Sequence, residues 1–381
     1  MSGENDAGVT LSPKVLQRIE EWVEEPEDLS TNSEIFEEYR KYILRKWIFI
    51  AACVVIAIIV MGIALTVGPY NIQFLQCYDI LWNHIIGNYE DGDILDYIIV
   101  DLRMPRIIIG LIAGAGLAVC GVSMQSTLMN PLADPYTTGV SSGASFGATL
   151  ALTAGITVTA AGYYGLVVNA FIFSLIPTFL IISVAKMKNS SPTVMILAGI
   201  AVMYIFNALT TVMMLWANPN DLAEVYRWQV GSLTKSGWDA VPIMLVVVTI
   251  GILAIQFLSR QLNVLASGDD NANSMGVDAN RLRTINLVIV SLTSATIVCF
   301  TGLIGFVGLV APHMVRLVIG PDNRYLVIGS AAFGATMLIV ADLIGRTIIA
   351  PSILEVGVIT AFLGGPLFLW LMVKKNSEIW G

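Results

Sequence analysis

Asp342 and Arg346 have the residue types and the spacing that could do chemistry inside an apolar segment. They are four residues apart, so on a helix their side chains lie on one face. Asp342 is well inside an apolar stretch, and an ionisable group in such a place is a functional candidate. Two interpretations stay open at this point: a proton relay through Asp342, or a locally neutralised ion pair with Arg346.

Other chemistry has little support in the sequence. The two histidines, His84 and His313, are far apart, and the four cysteines show no paired spacing, so a metal centre lacks ligands. The sequence contains neither the phosphate-binding P-loop motif nor the His-Glu-x-x-His motif of zinc peptidases. It also has no arrangement of Ser, His and Asp residues that indicates a catalytic triad. We therefore expect no catalytic site, no bound metal or cofactor, and no ATP site in this chain.

A turn-rich segment follows residue 129. Two prolines, Pro131 and Pro135, force a turn, and the side chains of Asn130 and Asp134 can bond nearby backbone amides. We expect these four residues to form a rigid elbow at the cytosolic face that leads into a partly re-entrant segment.

The polar segment 259–284 contains the signals of a short helix. Asp269 and Asp270 favour the first turn of a helix, and Gly268 and Gly276 bound it. A two-turn amphipathic helix at a membrane surface suggests a docking knob, and a solvated turn is the alternative. The residues of this candidate knob are Gly268, Asp269, Asp270, Ala272, Met275 and Gly276.

Glycine and other small residues recur every four positions in two apolar segments. Such rows give a helix one smooth stripe that a neighbouring backbone can approach closely. We expect tight helix packing, with pore lining as a secondary use. The rows are Gly110, Gly114, Ala118 and Val122, and then Gly139, Gly143 and Gly147.

The composition identifies the elements that must position these residues. The 381 residues are 56% apolar and 13% charged, whereas a soluble domain has about 25% charged residues. Residues 1–46 carry 6 Lys and Arg and 11 Asp and Glu, so only 31 of the other 335 residues are charged. The sequence therefore predicts an all-α polytopic membrane protein, and its net charge of −8 gives no basic surface for nucleic acid.

Ten segments are long and apolar enough to be predicted as membrane spans. With the N-terminus in the cytosol, the connections place fifteen Lys and Arg inside and five outside, which satisfies the positive-inside rule. We expect a multi-pass protein of the plasma membrane with both termini in the cytosol. The predicted spans are 47–67, 105–129, 140–158, 166–185, 193–216, 241–258, 285–301, 303–319, 326–344 and 353–373.

The predicted organisation has three parts. Residues 1–46 form an acidic cytosolic extension that lacks the apolar region of a signal peptide. Residues 47–375 form the membrane domain, with 259–284 as its main cytosolic loop, and residues 376–381 form a short tail.

Over roughly residues 47–375 the chain resembles the iron-siderophore and vitamin B12 uptake permeases, the membrane subunits of type II ABC importers. Several long motifs carry the resemblance in order and spacing. They are Arg103-Met-Pro-Arg106, Asn130-Pro-Leu-Ala-Asp-Pro135, Gly302-Leu-Ile-Gly-Phe-Val-Gly-Leu-Val-Ala-Pro-His313, Gly320-Pro-Asp-Asn-Arg324, Ala341-Asp342 with Arg346, and Gly364-Gly-Pro366.

The resemblance implies a homodimer with ten helices per subunit, two ABC ATPase subunits on the cytosolic side and an extracytoplasmic substrate-binding protein. It implies import of a metal chelate (a ferric siderophore, haem or corrinoid) by alternating access, with ATP bound only by the partner ATPase. Residues 268–276 resemble the coupling helix, although relatives usually have a basic residue where Asn273 stands. Arg103, Arg106 and Arg346 resemble outer basic residues that dock the binding protein.

Two other functions remain as alternatives. A proton-coupled secondary transporter rests on Asp342 alone, and coupling normally needs more than one titratable group in the path. A membrane scaffold without transport rests only on the acidic extension.

Overall fold

The computed structural model describes residues 29–68, 70, 72–88, 92–159, 162–187, 191–350 and 352–373. Most of the predicted acidic extension (residues 1–28) and the predicted tail lie outside these residues. Contacts divide the chain into two units, residues 1–48 and 49–381.

The described part of the chain contains thirteen helices and no β-strand. They are α1 (Leu29–Thr66), α2 (Phe74–Ile85), α3 (Ile94–Thr127), α4 (Val140–Ala154), α5 (Tyr163–Met187), α6 (Pro192–Leu215), α7 (Pro219–Val230), α8 (Ala240–Leu265), α9 (Asp269–Ser274), α10 (Ala279–Thr301), α11 (Val307–Ile319), α12 (Asn323–Thr347) and α13 (Val356–Val373).

Seven of the helices in the described residues are long and apolar enough to cross a membrane: α1, α3, α5, α6, α8, α10 and α12. The sequence predicts ten spans, and the other three coincide with α4, α11 and α13. Glycines in the left-handed region bound α4 on both sides, Gly139 (φ +74°) and Gly155 (φ +64°), so α4 has only 15 residues. Apolarity alone does not reveal where such glycines end a helix.

The segment 302–306 interrupts the predicted span 303–319. Gly302 has φ +70° and Phe306 has φ +67°, so α10 ends at Thr301 and the 13-residue α11 begins only at Val307. The hydroxyl of Tyr136 donates to the carbonyl of Ile304 (2.9 Å), and the N–H of Ser232 donates to the carbonyl of Thr301 (2.7 Å). Non-helical backbone of this kind needs such protein partners when it lies at membrane depth.

Helix α3 is the centre of the packing and is buried over nearly its whole length from Pro105 to Thr127. It contacts α8, α10, α11 and α12, while α4, α5 and α6 pack against one another beside it. The predicted glycine rows lie at these contacts. A Cβ atom added to Gly114 would lie 2.3 Å from the carbonyl oxygen of Gly334 in α12, and one on Gly147 would lie 2.5 Å from that of Asn169 in α5. Close helix packing therefore explains both rows.

Candidate functional site

Asp342 lies at the centre of a buried ion cluster. Its carboxylate accepts from Nε of Arg106 (2.8 Å) and pairs with Nε of Arg346 (3.0 Å). All three side chains are buried, and Arg346 also donates to the carbonyl of Ala64 (3.0 Å). The cluster therefore joins α1, α3 and α12, and of the two interpretations of Asp342 the geometry supports the neutralised ion pair.

Arg103 is also buried, at the π-helical turn of α3. Its guanidinium donates to three backbone carbonyls, those of Leu65 (2.5 Å), Thr66 (2.9 Å) and Tyr70 (2.6 Å). The carbonyls of Leu65 and Thr66 lie at the end of α1, where carbonyls have no intrahelical partner, and Tyr70 lies in the segment that follows. Arg103 thus caps α1.

The three arginines predicted to dock a binding protein all have internal partners in the structure. The four-residue spacing in the sequence predicts that Arg346 lies beside Asp342. It does not predict the contact of Arg106, which is 236 residues away from Asp342 in the chain. It also gives no reason to expect the capping role of Arg103. Their role in docking another protein stays a prediction.

The predicted docking knob is a helix, α9, rather than a solvated turn. Gly268 (φ +105°) and Gly276 (φ +80°) bound it with backbone angles that favour glycine. Ala272 is buried against Leu265, Ala279 and Leu282, whereas Met275 is 69% exposed. The side chain of Asn273 accepts from the N–H of Ala279 (3.4 Å), so in this chain the residue supports the start of α10.

A buried arginine anchors α9 to the membrane helices. Arg283 of α10 is fully buried and donates from both terminal nitrogens to the carboxylate of Asp269, one of these bonds being 2.7 Å long. Its Nε donates to the carbonyl of Thr127 at the end of α3 (3.2 Å). These hydrogen bonds from Arg283 lower the pKa of Asp269. We call Asp269, Arg283 and Thr127 the coupling clamp.

Further polar contacts continue from the coupling clamp across the neighbouring helix ends. Ser126 donates to Asn323 of α12 (3.1 Å), and Arg316 of α11 donates to Gln125 (2.8 Å). Asn263 of α8 donates to Asp322 (2.8 Å). Side-chain hydrogen bonds therefore link the ends of α3, α8, α11 and α12.

The predicted elbow has the local bonds that its residue types indicate. Asn130 accepts from the N–H of Leu132 (2.9 Å), and Asp134 accepts from the N–H of Thr137 (2.9 Å) at the start of a single 3₁₀ turn, Pro135–Thr138. Pro131 lies inside the first of these turns, between Asn130 and Leu132, and Pro135 opens the 3₁₀ turn. The elbow thus connects α3 to α4 through fixed backbone geometry.

The described residues enclose a cavity of about 580 Å³. It lies between the end of α4, the start of α5, α7 and the end of α10, and Glu224, Arg227 and Lys235 are its charged lining residues. The described residues contain no group of three or more His, Cys, Asp or Glu side chains that could hold a metal ion.

The model of the FecCD transport family matches residues 55–374. The chain belongs to the FecCD transport family. The hemin transport system permease protein of Yersinia pestis is 32% identical over 327 residues, which cover 84% of this chain and 95% of that protein. The cobalamin import system permease protein of Halobacterium salinarum is 38% identical over 280 residues, 73% of this chain and 74% of that protein.

A solved structure of a metal-chelate type ABC transporter in an inward-facing conformation has the same fold. The TM-score is 0.75 with 27% identity, and the match covers 86% of this FecCD permease and 99% of that chain. The chain is therefore the multi-pass permease subunit of an ABC importer, as its motifs predict. These comparisons support neither the proton-coupled transporter nor the scaffold.

Proposed function

We propose that this permease imports a metal chelate, in the class of ferric siderophores, haem and corrinoids, as a homodimer bound to two ABC ATPase subunits and an extracytoplasmic substrate-binding protein. Its relatives in Yersinia and Halobacterium are named for haem and cobalamin. A large polar chelate cannot cross about 30 Å of hydrocarbon unaided, so a protein path is needed.

The single observation that supports a contact between α9 and an ATPase subunit is the shape of α9. A six-residue helix presents an exposed methionine, Met275, while its other side is fixed by Ala272 and by the coupling clamp. An exposed apolar tip on a rigid base is what a cleft in a partner protein can bind. Closure of the ATPase pair would move α9, and the clamp would pass this motion to α3 and α10 as rigid-body tilting.

The finer organisation belongs to the same proposal. Each subunit has ten spans, the three short helices α4, α11 and α13 counting with the seven long ones, and both termini lie in the cytosol. Residues 1–46 form the cytosolic extension, 47–375 the permease domain and 376–381 the tail. ATP is bound and hydrolysed by the partner alone, and Arg103, Arg106 and Arg346 lie near the face that receives the binding protein.

Co-purification with an ATPase tests the proposal. Tagged permease is co-expressed with the products of its neighbouring genes, solubilised in detergent and captured, and an ABC ATPase is sought among the captured proteins. We expect the ATPase to co-elute with the wild-type chain and to be lost with Met275→Asp, because a charge at the apolar tip opposes burial in a cleft.

Met187→Asp is the matched control, since Met187 at the end of α5 is also an exposed methionine (81%, against 69% for Met275). It should retain the ATPase. Loss of the ATPase with both variants, or with neither, would contradict the assignment of α9 as the coupling helix.

A further inference from the structure

A recess of about 270 Å³ opens between α4, α6 and the end of α7. Seven of its ten lining residues have polar side chains, which is unusual beside a span as apolar as α6. Its polar lining residues include Ser141, Ser145, Asn207, Thr211 and Gln229.

Asn207 lies deep along the apolar helix α6. Asn207 is the sixteenth residue of the 24-residue helix α6, so it lies about 22 Å along the helix at a rise of 1.5 Å per residue. Its side chain is exposed, and no hydrogen bond to its carboxamide is present among the described residues. A carboxamide facing lipid at that depth would be unsatisfied and costly. This face of α6 is therefore turned towards a water-filled path or another protein surface.

The polar groups that line the recess are neutral hydrogen-bond donors and acceptors. Nε2 of Gln229 donates to the hydroxyl of Ser145 (2.8 Å), which fixes the glutamine and leaves its Oε1 without a hydrogen-bond partner in the described part of the chain. The hydroxyl of Thr211 donates to the carbonyl of Asn207 (2.9 Å) and can still accept. No Lys, Arg, His, Asp or Glu lines the recess.

A wall of neutral donors and acceptors complements neutral groups such as carboxamides, hydroxyls and hydroxamates. It offers no cation to compensate a desolvated carboxylate. The volume is below the usual range for a whole ligand, about 300–1,000 Å³, so the recess takes a substituent at the edge of a larger molecule. Met203 and Met214 also line the recess and supply adaptable apolar contact.

We propose that this recess binds neutral hydrogen-bonding substituents of the cargo during its passage, so that the permease itself favours amide- or hydroxamate-bearing chelates over carboxylate-bearing ones. The inference rests on the proposed function and adds the chemical class of the cargo to it.

Uptake into proteoliposomes that contain the complete complex, ATPase and binding protein included, tests this inference. The probes are cyanocobalamin and ferrichrome as amide-rich chelates, and haemin and ferric citrate as carboxylate-bearing ones. We expect the wild-type complex to take up an amide-rich probe. Asn207→Leu should reduce that uptake about five-fold, the effect expected when a hydrogen bond to the cargo is lost.

Two further variants separate binding from structure. Asn207→Gln keeps the carboxamide and should retain most of the uptake, whereas Tyr204→Phe removes an exposed hydroxyl from α6 outside the recess and should leave uptake unchanged. The mass of each complex in detergent is measured in parallel.

The possible failures are distinguishable. If the wild-type complex takes up none of the four probes, the metal-chelate function itself is refuted. If it takes up only haemin or ferric citrate, or if Asn207→Leu equals wild type, the recess proposal alone is refuted. If Asn207→Leu instead loses the second copy of the permease, the recess is a subunit contact and the proposal is also overturned.

Discussion

At the scale of single residues, the charges buried in this permease are fixed by more than one partner. Asp342 has two guanidiniums, from Arg106 and Arg346, and Arg283 has a carboxylate and a backbone carbonyl. Removing one member of such a group leaves an uncompensated charge in a medium that solvates it poorly, which costs more than the pair itself contributes.

Asp342→Asn should therefore destabilise the permease strongly. Arg106 and Arg346 would both lose their carboxylate, and we expect a loss of about 3–5 kcal/mol, measured as a lower midpoint of thermal unfolding in detergent. Glu37→Gln is the control, because Glu37 forms an exposed pair with Lys41 (3.8 Å) and exposed pairs contribute little. An Asp342→Asn protein as stable as wild type would refute the structural role of the cluster.

The coupling clamp predicts a dependence of stability on pH. Arg283 lowers the pKa of Asp269 below its ordinary value of 3.8, so the clamp stabilises the fold fully above that value and loses its contribution as the pH falls through the lower folded-state pKa. The difference in unfolding midpoint between wild type and Asp269→Asn should be constant near neutral pH and shrink below about pH 3.8. A difference that grows on acidification would contradict the clamp.

At the scale of elements, close backbone contact holds α3 against its neighbours. Apolar side chains do not favour protein over lipid inside a membrane, so van der Waals contact between smooth helix faces drives association. The approach of Gly114 to Gly334 leaves no space for even a methyl group on either residue.

Gly114→Ala should separate α3 from α12 and destabilise the protein by about 1–3 kcal/mol, the usual cost of overpacking. Gly305→Ala is the matched control, because a Cβ atom at Gly305 would meet no heavy atom within 4 Å and its φ is not in the left-handed region. Unfolding in detergent compares the two. Equal stability of both variants would contradict this expectation, because it would show that α3 and α12 can accommodate an added methyl group at their contact.

At the scale of the whole molecule, the orientation of the spans decides which partner meets which face. The excess of Lys and Arg in the connections on one side, fifteen against five, predicts that α9 faces the cytosol and α7 the outside. Both helices have exposed positions that can report on this, at Ser267 just before α9 and at Asn220 in α7.

Labelling of single added cysteines with a membrane-impermeant maleimide tests the orientation. The four native cysteines are buried and should give a low background. In intact cells Asn220→Cys should react and Ser267→Cys should not, and Ser267→Cys should react once the cells are opened. The reverse pattern would invert the topology and place α9 away from any cytosolic ATPase.

Much of this protein is determined by its sequence alone. The apolar segments, the charge asymmetry of the connections and the glycines around α9 act locally, through partition into lipid and through backbone conformation, so they can be recognised without coordinates. The family motifs can also be recognised in the sequence, because each is a short run of adjacent residues, and they indicate the function.

Only the tertiary structure decides which distant residues become neighbours. The pairing of Arg106 with Asp342, the coupling clamp between α9 and the end of α3, and the polar recess between α4, α6 and α7 each join segments far apart in the chain. The break at 302–306 likewise depends on Tyr136 and the backbone near Ser232 to satisfy its polar groups. Hydrogen bonds and ion pairs act over a few ångströms of space. The number of residues between two positions in the chain does not tell how close they come once the helices have packed.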